Sequence, residues 1–128
     1  SYEELDAFIQ KRLTGQQLEK DDILAVASID LKEKEECLVR WCNSHRIPFV
    51  TYSAEILQQV AGNYTASAFV EARTGVDNVC ERAAMAAAGE QGELIVSKQA
   101  ESGMTLAIAR KPWKWEPERQ KGLVVEDA

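Results

Sequence analysis

The sequence predicts an α/β domain: a three-layer α/β/α arrangement around a mixed sheet, with parallel strands plus a C-terminal antiparallel hairpin. Three observations predict it. The run Ile23 to Ile29 is apolar on both faces, as a strand covered by helices on either side must be. Segments of helical periodicity precede and follow it, so strands and helices alternate and the crossovers are right-handed. Finally, two strand-like segments, Glu93 to Lys98 and Met104 to Arg110, are separated by a short loop holding Glu101, Ser102 and Gly103, which makes them a hairpin.

The elements follow in order. Ser1 and Glu4 stand at capping-box spacing, and Leu5, Phe8, Ile9 and Leu13 recur on one helical face before Gly15 ends the helix. After the strand Ile23 to Ile29, a second helix is predicted from Glu33 to His45, with Leu38, Trp41 and Cys42 on one side. Pro48 sets the entry to a strand Phe49 to Tyr52. Ser53 then caps a helix carrying Ile56, Leu57 and Val60 that Gly62 closes. A further helix is predicted near Ala66 to Arg73. Asp77 or Asn78 caps an alanine-rich helix running to Gly89, whose small side chains allow close approach to a sheet. Residues 1–111 thus form the domain. Residues 112–128 read as a C-terminal extension packing back through Trp113 and Trp115.

Composition narrows the function. A chain of 128 residues with 45% apolar and 28% charged residues suits one globular domain and excludes a disordered or fibrous chain. The net charge of −6 repels a phosphate backbone, so no nucleic-acid partner is expected. No apolar run approaches the roughly 18 residues of a membrane helix, so no membrane partner is expected, and no secretory signal is seen. Cys37, Cys42 and Cys80 suit small hydrophobes in a reducing compartment, and a cytoplasmic location is expected. The chain opens at Ser1 rather than Met, and residues preceding Ser1 are expected in the intact product.

Common catalytic signatures are missing. No glycine pattern forms a GxGxxG or a P-loop. His45 has no second histidine or CxxC to complete a zinc site, so no metal site is expected, and its place near a helix C-terminus suits an interaction with the helix dipole. What remains gathers at strand ends, where open α/β sheets bind ligands. Asp30 and Lys32 follow the first strand; Ser53 and Glu55 follow the second, with helix N–H groups that favour anions. Lys98 and Gln99 are placed at the hairpin turn. The same geometry also serves helix capping by Asp30 and Ser53 and solvated lysines, so spacing alone leaves both readings open.

Five strings occur in order: Ala-Ser-Ile-Asp-Leu-Lys at 27–32, Tyr-Ser-Ala-Glu-Ile-Leu at 52–57, Thr-Gly-Val-Asp-Asn-Val-Cys-Glu-Arg-Ala-Ala at 74–84, Leu-Ile-Val-Ser-Lys-Gln at 94–99 and Thr-Leu-Ala-Ile-Ala-Arg-Lys at 105–111. Together they resemble the cobalamin-biosynthesis family formed by CobE and the C-terminal domain of CbiG. The resemblance implies a role in corrin-ring construction. In the complete CbiG protein it implies cobalt-precorrin-5A hydrolase activity, which opens a lactone on the macrocycle and releases acetaldehyde; for CobE-type relatives it implies a non-catalytic binding or docking module. The implied partner is a tetrapyrrole intermediate that can itself carry cobalt, with no cofactor of the domain's own. Other pathway enzymes, or upstream domains of the same chain, are further implied partners. Asp30 and Glu55 are the candidate general bases; Asp30, Lys32, Ser53, Lys98 and Gln99 are the candidate substrate-binding residues. Family members begin with a strand ending in a Gly-Cys-Arg-like loop just before the capping Ser. That strand is not in this sequence, so a site involving its loop is incomplete here, and these residues alone are not expected to be a complete enzyme.

Overall fold

The computed structural model describes residues 1–64, 66–111 and 121–127. The first helix, α1 (Tyr2–Gly15), starts as its sequence requires: Ser1 Oγ accepts the Glu4 N–H at 3.3 Å, and Glu4 Oε1 accepts from the Ser1 amine at 3.2 Å. It buries Leu5, Phe8, Ile9 and Leu13. A 3₁₀ turn at Lys20–Asp22 leads into β1 (Ile23–Ile29), which pairs in parallel with β2 (Phe49–Tyr52) from Val26↔Phe49 to Ile29↔Tyr52.

The helix between them, α2 (Glu36–His45), begins later than Glu33. The chain first makes a 3₁₀ turn at Asp30–Lys32, where the Glu33 N–H donates to the Asp30 carbonyl at 3.1 Å and the Glu35 N–H to the Lys32 carbonyl at 3.0 Å. Residues 33–35 carry no apolar side chain, so no burial draws them into the helix. Leu38, Trp41 and Cys42 are buried as their spacing predicts.

The helix after Ser53, α3 (Ala54–Gln58), stops short of Val60. The Arg82 guanidinium supplies the reason: its Nη1 donates to the carbonyls of Leu57, Gln58 and Val60 at 3.1, 3.3 and 3.2 Å, which satisfies the free end of a one-turn helix. Next come α4 (Ala68–Thr74), capped by Ser67 and ended by Gly75 at φ +82°, and α5 (Cys80–Ala88).

The hairpin strands are β3 (Glu93–Glu101) and β4 (Met104–Arg110). β3 is longer than expected, because the turn is the two-residue pair Ser102 and Gly103, both at positive φ, as a tight hairpin needs. Lys98 and Gln99 therefore lie inside the strand and not at its turn.

The largest correction concerns the tail. Residues 121–127, read as part of an extension, form β5 (Lys121–Asp127), inserted between β1 and β4 in a sheet of order β2-β1-β5-β4-β3. β5 runs parallel to β1 and antiparallel to β4. Its sequence signal, Leu123-Val124-Val125, is too short to reveal a central position, which is fixed by the backbone groups that β1 and β4 offer on either side. The expected packing of Trp113 and Trp115 lies outside the described residues.

Helices cover both faces, as predicted. On one, α1 and α2 pack on Val26, Leu106 and Ile108. On the other, Leu57, Val70 and the alanines of α5 meet Ala27, Ile29, Ala107 and Ala109, small residues on both sides that let helix and sheet approach closely.

Candidate functional site

The strand directions define one rim. β1, β2, β3 and β5 all run the same way, so Ile29, Tyr52 and Glu101 reach the same edge of the sheet. Helices that follow strands return from that edge, which places the N-termini of α2, α3 and α5 beside it.

At one corner the Asp30–Lys32 turn lies against β2. This brings Asp30, Lys32, Ser53 and Glu55 into one neighbourhood. Asp30 and Glu55 are exposed, whereas Lys32 and Ser53 are half-buried. Ser53 Oγ accepts the Ile56 N–H at 3.2 Å, so its side chain is a helix cap. Two apolar side chains on these same elements, Leu31 and Ile56, are exposed at 68% and 51%. Ile56 reads in the sequence as an apolar position of the helix after Ser53, and Leu31, between Asp30 and Lys32 in a polar turn, carries a signal of its own.

Lys98 and Gln99 sit on the same rim but at its far side. β2 and β3 are the outer strands of a five-stranded sheet. Four strand spacings separate them, about 19 Å. The three turns expected to meet therefore form a corner and a distant strand of one edge. Both Lys98 and Gln99 are half-buried; Gln99 Nε2 donates to the Ser97 carbonyl at 3.3 Å.

On the helical face between these ends is a group that the sequence did not announce. Glu81, in the first turn of α5, is 1% exposed. Its Oε1 accepts from Asn78 Nδ2 at 2.7 Å, its Oε2 accepts the Lys98 backbone N–H at 2.7 Å, and its own N–H donates to Asn78 Oδ1 at 2.8 Å. Asn78 thus takes a first-turn N–H of α5, whose N-cap residue is Val79, while Asp77 Oδ1 pairs with Arg82 Nε at 3.0 Å. The Asn-x-x-Glu spacing was the available signal. Its partner on β3 was not readable, because the bond depends on two register irregularities in β3, between Leu94 and Val96 and between Val96 and Gln99.

Other features lie apart from this edge or beside it. A cavity of about 530 Å³ opens between α3 and α5, lined by Tyr52, Ile56, Val60 and Met85. Burial pushes the Tyr52 phenol above its usual range. His45 is at the other end of the sheet, where Nδ1 meets the Trp41 carbonyl at 2.8 Å and Nε2 meets Lys20 Nζ at 3.0 Å. Cys42 and Cys80 are buried and Cys37 half-buried; burial pushes the Cys42 thiol up to about 12. Among the described residues no cluster of three His, Cys, Asp or Glu side chains could hold a metal ion, and no helix is long and apolar enough to cross a membrane.

Comparison with known proteins gives four matches. The family model described as Cobalamin synthesis G C-terminus matches residues 1–109. A cobalt-precorrin-5A hydrolase of Salmonella typhimurium is 30% identical over 104 residues, covering 81% of this chain but 29% of the hydrolase. Protein CobE of a Sinorhizobium species is 31% identical over 108 residues, covering 84% of this chain and 70% of that protein. Among solved structures, a crystal structure of CobE, a protein from the cobalamin (vitamin B12) biosynthetic pathway, superposes with a TM-score of 0.81 at 26% identity, covering 89% of this chain and 84% of the other.

Proposed function

The chain belongs to the cobalamin synthesis G C-terminus family, and from that premise we propose that its sheet edge binds a carboxylated tetrapyrrole intermediate of corrin construction. One observation carries the reading. Four of the five family-like strings, at 27–32, 52–57, 74–84 and 94–99, bring a strand end, a turn, a helix start or a bulged strand to the same edge of the sheet. The ligand class carries many carboxylates. Lys98 has no ion pair or side-chain hydrogen bond among the described residues, so its ammonium is available for a charge-assisted bond. Exposed Leu31 and Ile56 suit the apolar face of a macrocycle.

In its catalytic form, the reading makes this the C-terminal part of a cobalt-precorrin-5A hydrolase. Asp30 or Glu55 would take a proton from water as its oxygen adds to the lactone carbonyl and the ring C–O bond breaks, leaving a carboxylate and an alcohol. Release of the two-carbon unit as acetaldehyde follows that opening. A second form, a non-catalytic binding module of the CobE type, is favoured by the exposure of both carboxylates, since among the described residues neither is held by a partner of the kind that fixes a general base. No cofactor of its own is invoked; cobalt, where present, belongs to the substrate.

Mixing the protein with a lactone-bearing cobalt-corrinoid precursor, with visible spectra and acetaldehyde recorded together, separates the forms. A spectral change with acetaldehyde supports the hydrolase. A spectral change alone supports the binding module. No spectral change at saturating protein removes both.

A further inference from the structure

We propose that Glu81 is a positioning residue for Lys98, holding the bulged part of β3 so that the Lys98 ammonium stands at the carboxylate-binding edge. The inference rests on the tetrapyrrole reading above and assigns a role to a buried acid that reading does not use.

The geometry is specific. In a regular hairpin the β3 backbone donors are taken by β4 or left at the open edge. Here Val96 pairs with Ile108 and Gln99 with Leu106, so three steps on β3 oppose two on β4. The extra residue lies in the stretch Ser97–Lys98, and the Lys98 N–H is given to Glu81 Oε2 instead. Bulges commonly re-aim a side chain in this way.

Burying the Glu81 carboxylate carries a desolvation cost that its hydrogen bonds must offset. Both of its oxygens are used, one on Asn78 Nδ2 and one on Lys98 N–H, so the side chain acts as a strut from the start of α5 to β3. Glutamine has the same shape but only one acceptor oxygen. In Glu81→Gln an NH₂ group must face either the Asn78 amide donor or the Lys98 N–H. Asn78 cannot turn over to accommodate it without losing the bond that its Oδ1 accepts from the Glu81 N–H.

The test is a double-mutant cycle read with uroporphyrin, an octacarboxylate tetrapyrrole, as probe, and with citrate as a carboxylate lacking the ring. Affinity is followed by quenching of porphyrin fluorescence for the first and by competition for the second. Hydrogen exchange at the Lys98 amide is measured in parallel. Lys98→Ala is expected to weaken uroporphyrin about tenfold, the loss of one charge-assisted bond. Glu81→Gln is expected to weaken it by a similar factor and to speed exchange at the Lys98 amide. The double variant is expected to bind no worse than Lys98→Ala alone, because Glu81 acts through Lys98. A merely structural Glu81 would instead give additive losses, and that result overturns the proposal. So does an unchanged affinity in Glu81→Gln, provided its Lys98 amide has lost protection. Slow exchange at that amide in Glu81→Gln also overturns it, since the strut would then not depend on the carboxylate. If the wild-type protein fails to bind uroporphyrin, the tetrapyrrole reading itself falls. Equal competition by citrate would reduce that reading to general carboxylate binding while leaving the Glu81–Lys98 coupling standing.

Discussion

At the scale of single residues, local bonds were legible and distant ones were not. Ser1 with Glu4 and Ser53 cap helices as their spacing predicts, and Asn78 accepts the Glu81 N–H in the first turn of α5, because such bonds are made within three residues. His45 shows the limit. Its position at a helix C-terminus suggests an interaction with the helix dipole, but the partners of its two ring nitrogens lie outside that pattern. The Trp41 carbonyl can only accept, so Nδ1 carries the proton; the Lys20 ammonium can only donate, so Nε2 offers a lone pair. The Trp41 indole stacks against the same ring with centroids 4.4 Å apart and donates its own N–H to Asp6 at 2.9 Å. At pH 8, ¹⁵N chemical shifts of His45 are expected to show the Nδ1–H tautomer; the Nε2–H tautomer would refute the assignment.

At the scale of elements, types and order were readable from apolar spacing, whereas ends were set by groups far along the chain. α3 is the clearest case. The apolar positions 56, 57 and 60 continue a helical pattern, yet the helix closes at Gln58, where a guanidinium 24 residues away takes its last carbonyls. Arg82 also holds Asp77 at 3.0 Å and lies 4.9 Å from the centre of the Tyr64 ring, so it joins α3, the segment after it and the start of α5. Replacing it with alanine removes a donor from three carbonyls and a carboxylate, of which the Leu57 carbonyl keeps the Val60 N–H at 3.2 Å. Arg82→Ala is expected to destabilise the fold by about 2–3 kcal/mol, the range for losing hydrogen bonds to a partly buried charged group. Arg82→Lys should recover little, since an ammonium cannot reproduce the planar fork that spans separate acceptors. Urea denaturation of the two variants checks both points, and a loss below about 0.5 kcal/mol, the range of an ordinary surface substitution, would deny Arg82 this role. The same rule explains β3. Its alternation is visible in the sequence, but the bulges that free Lys98 for Glu81 depend on strand pairing and a helix that no local pattern encodes.

At the scale of the molecule, the layers and the mixed sheet were foreseeable, and the sheet's centre was not. β5 occupies a position with neighbours on both sides, yet it is separated in sequence from the strands it joins. Without it, β1 and β4 would face one another across a gap of two strand spacings, about 9.6 Å, each with a row of unpaired N–H and C=O groups. Both neighbouring strands are largely buried, from Val26 to Ile29 and from Met104 to Ala109, so water cannot easily satisfy those groups while the helices remain in place. A chain ending at residue 111 is therefore expected to lose cooperative unfolding or to associate through the exposed edges. Circular dichroism during heating and size-exclusion chromatography would register either outcome. Adding a synthetic peptide of residues 119–128 in excess should restore a cooperative transition, because the vacant position accepts a strand parallel to β1 and antiparallel to β4. A truncated monomer that unfolds with the full chain's midpoint would show that the position at the sheet centre contributes nothing to stability. Restoration by the peptide would place the rim's geometry under the same control: Ile29 and Glu101 lie on opposite sides of this strand, and their separation, which sets the spacing of the lysines and carboxylates at the candidate site, is fixed only when it is in place.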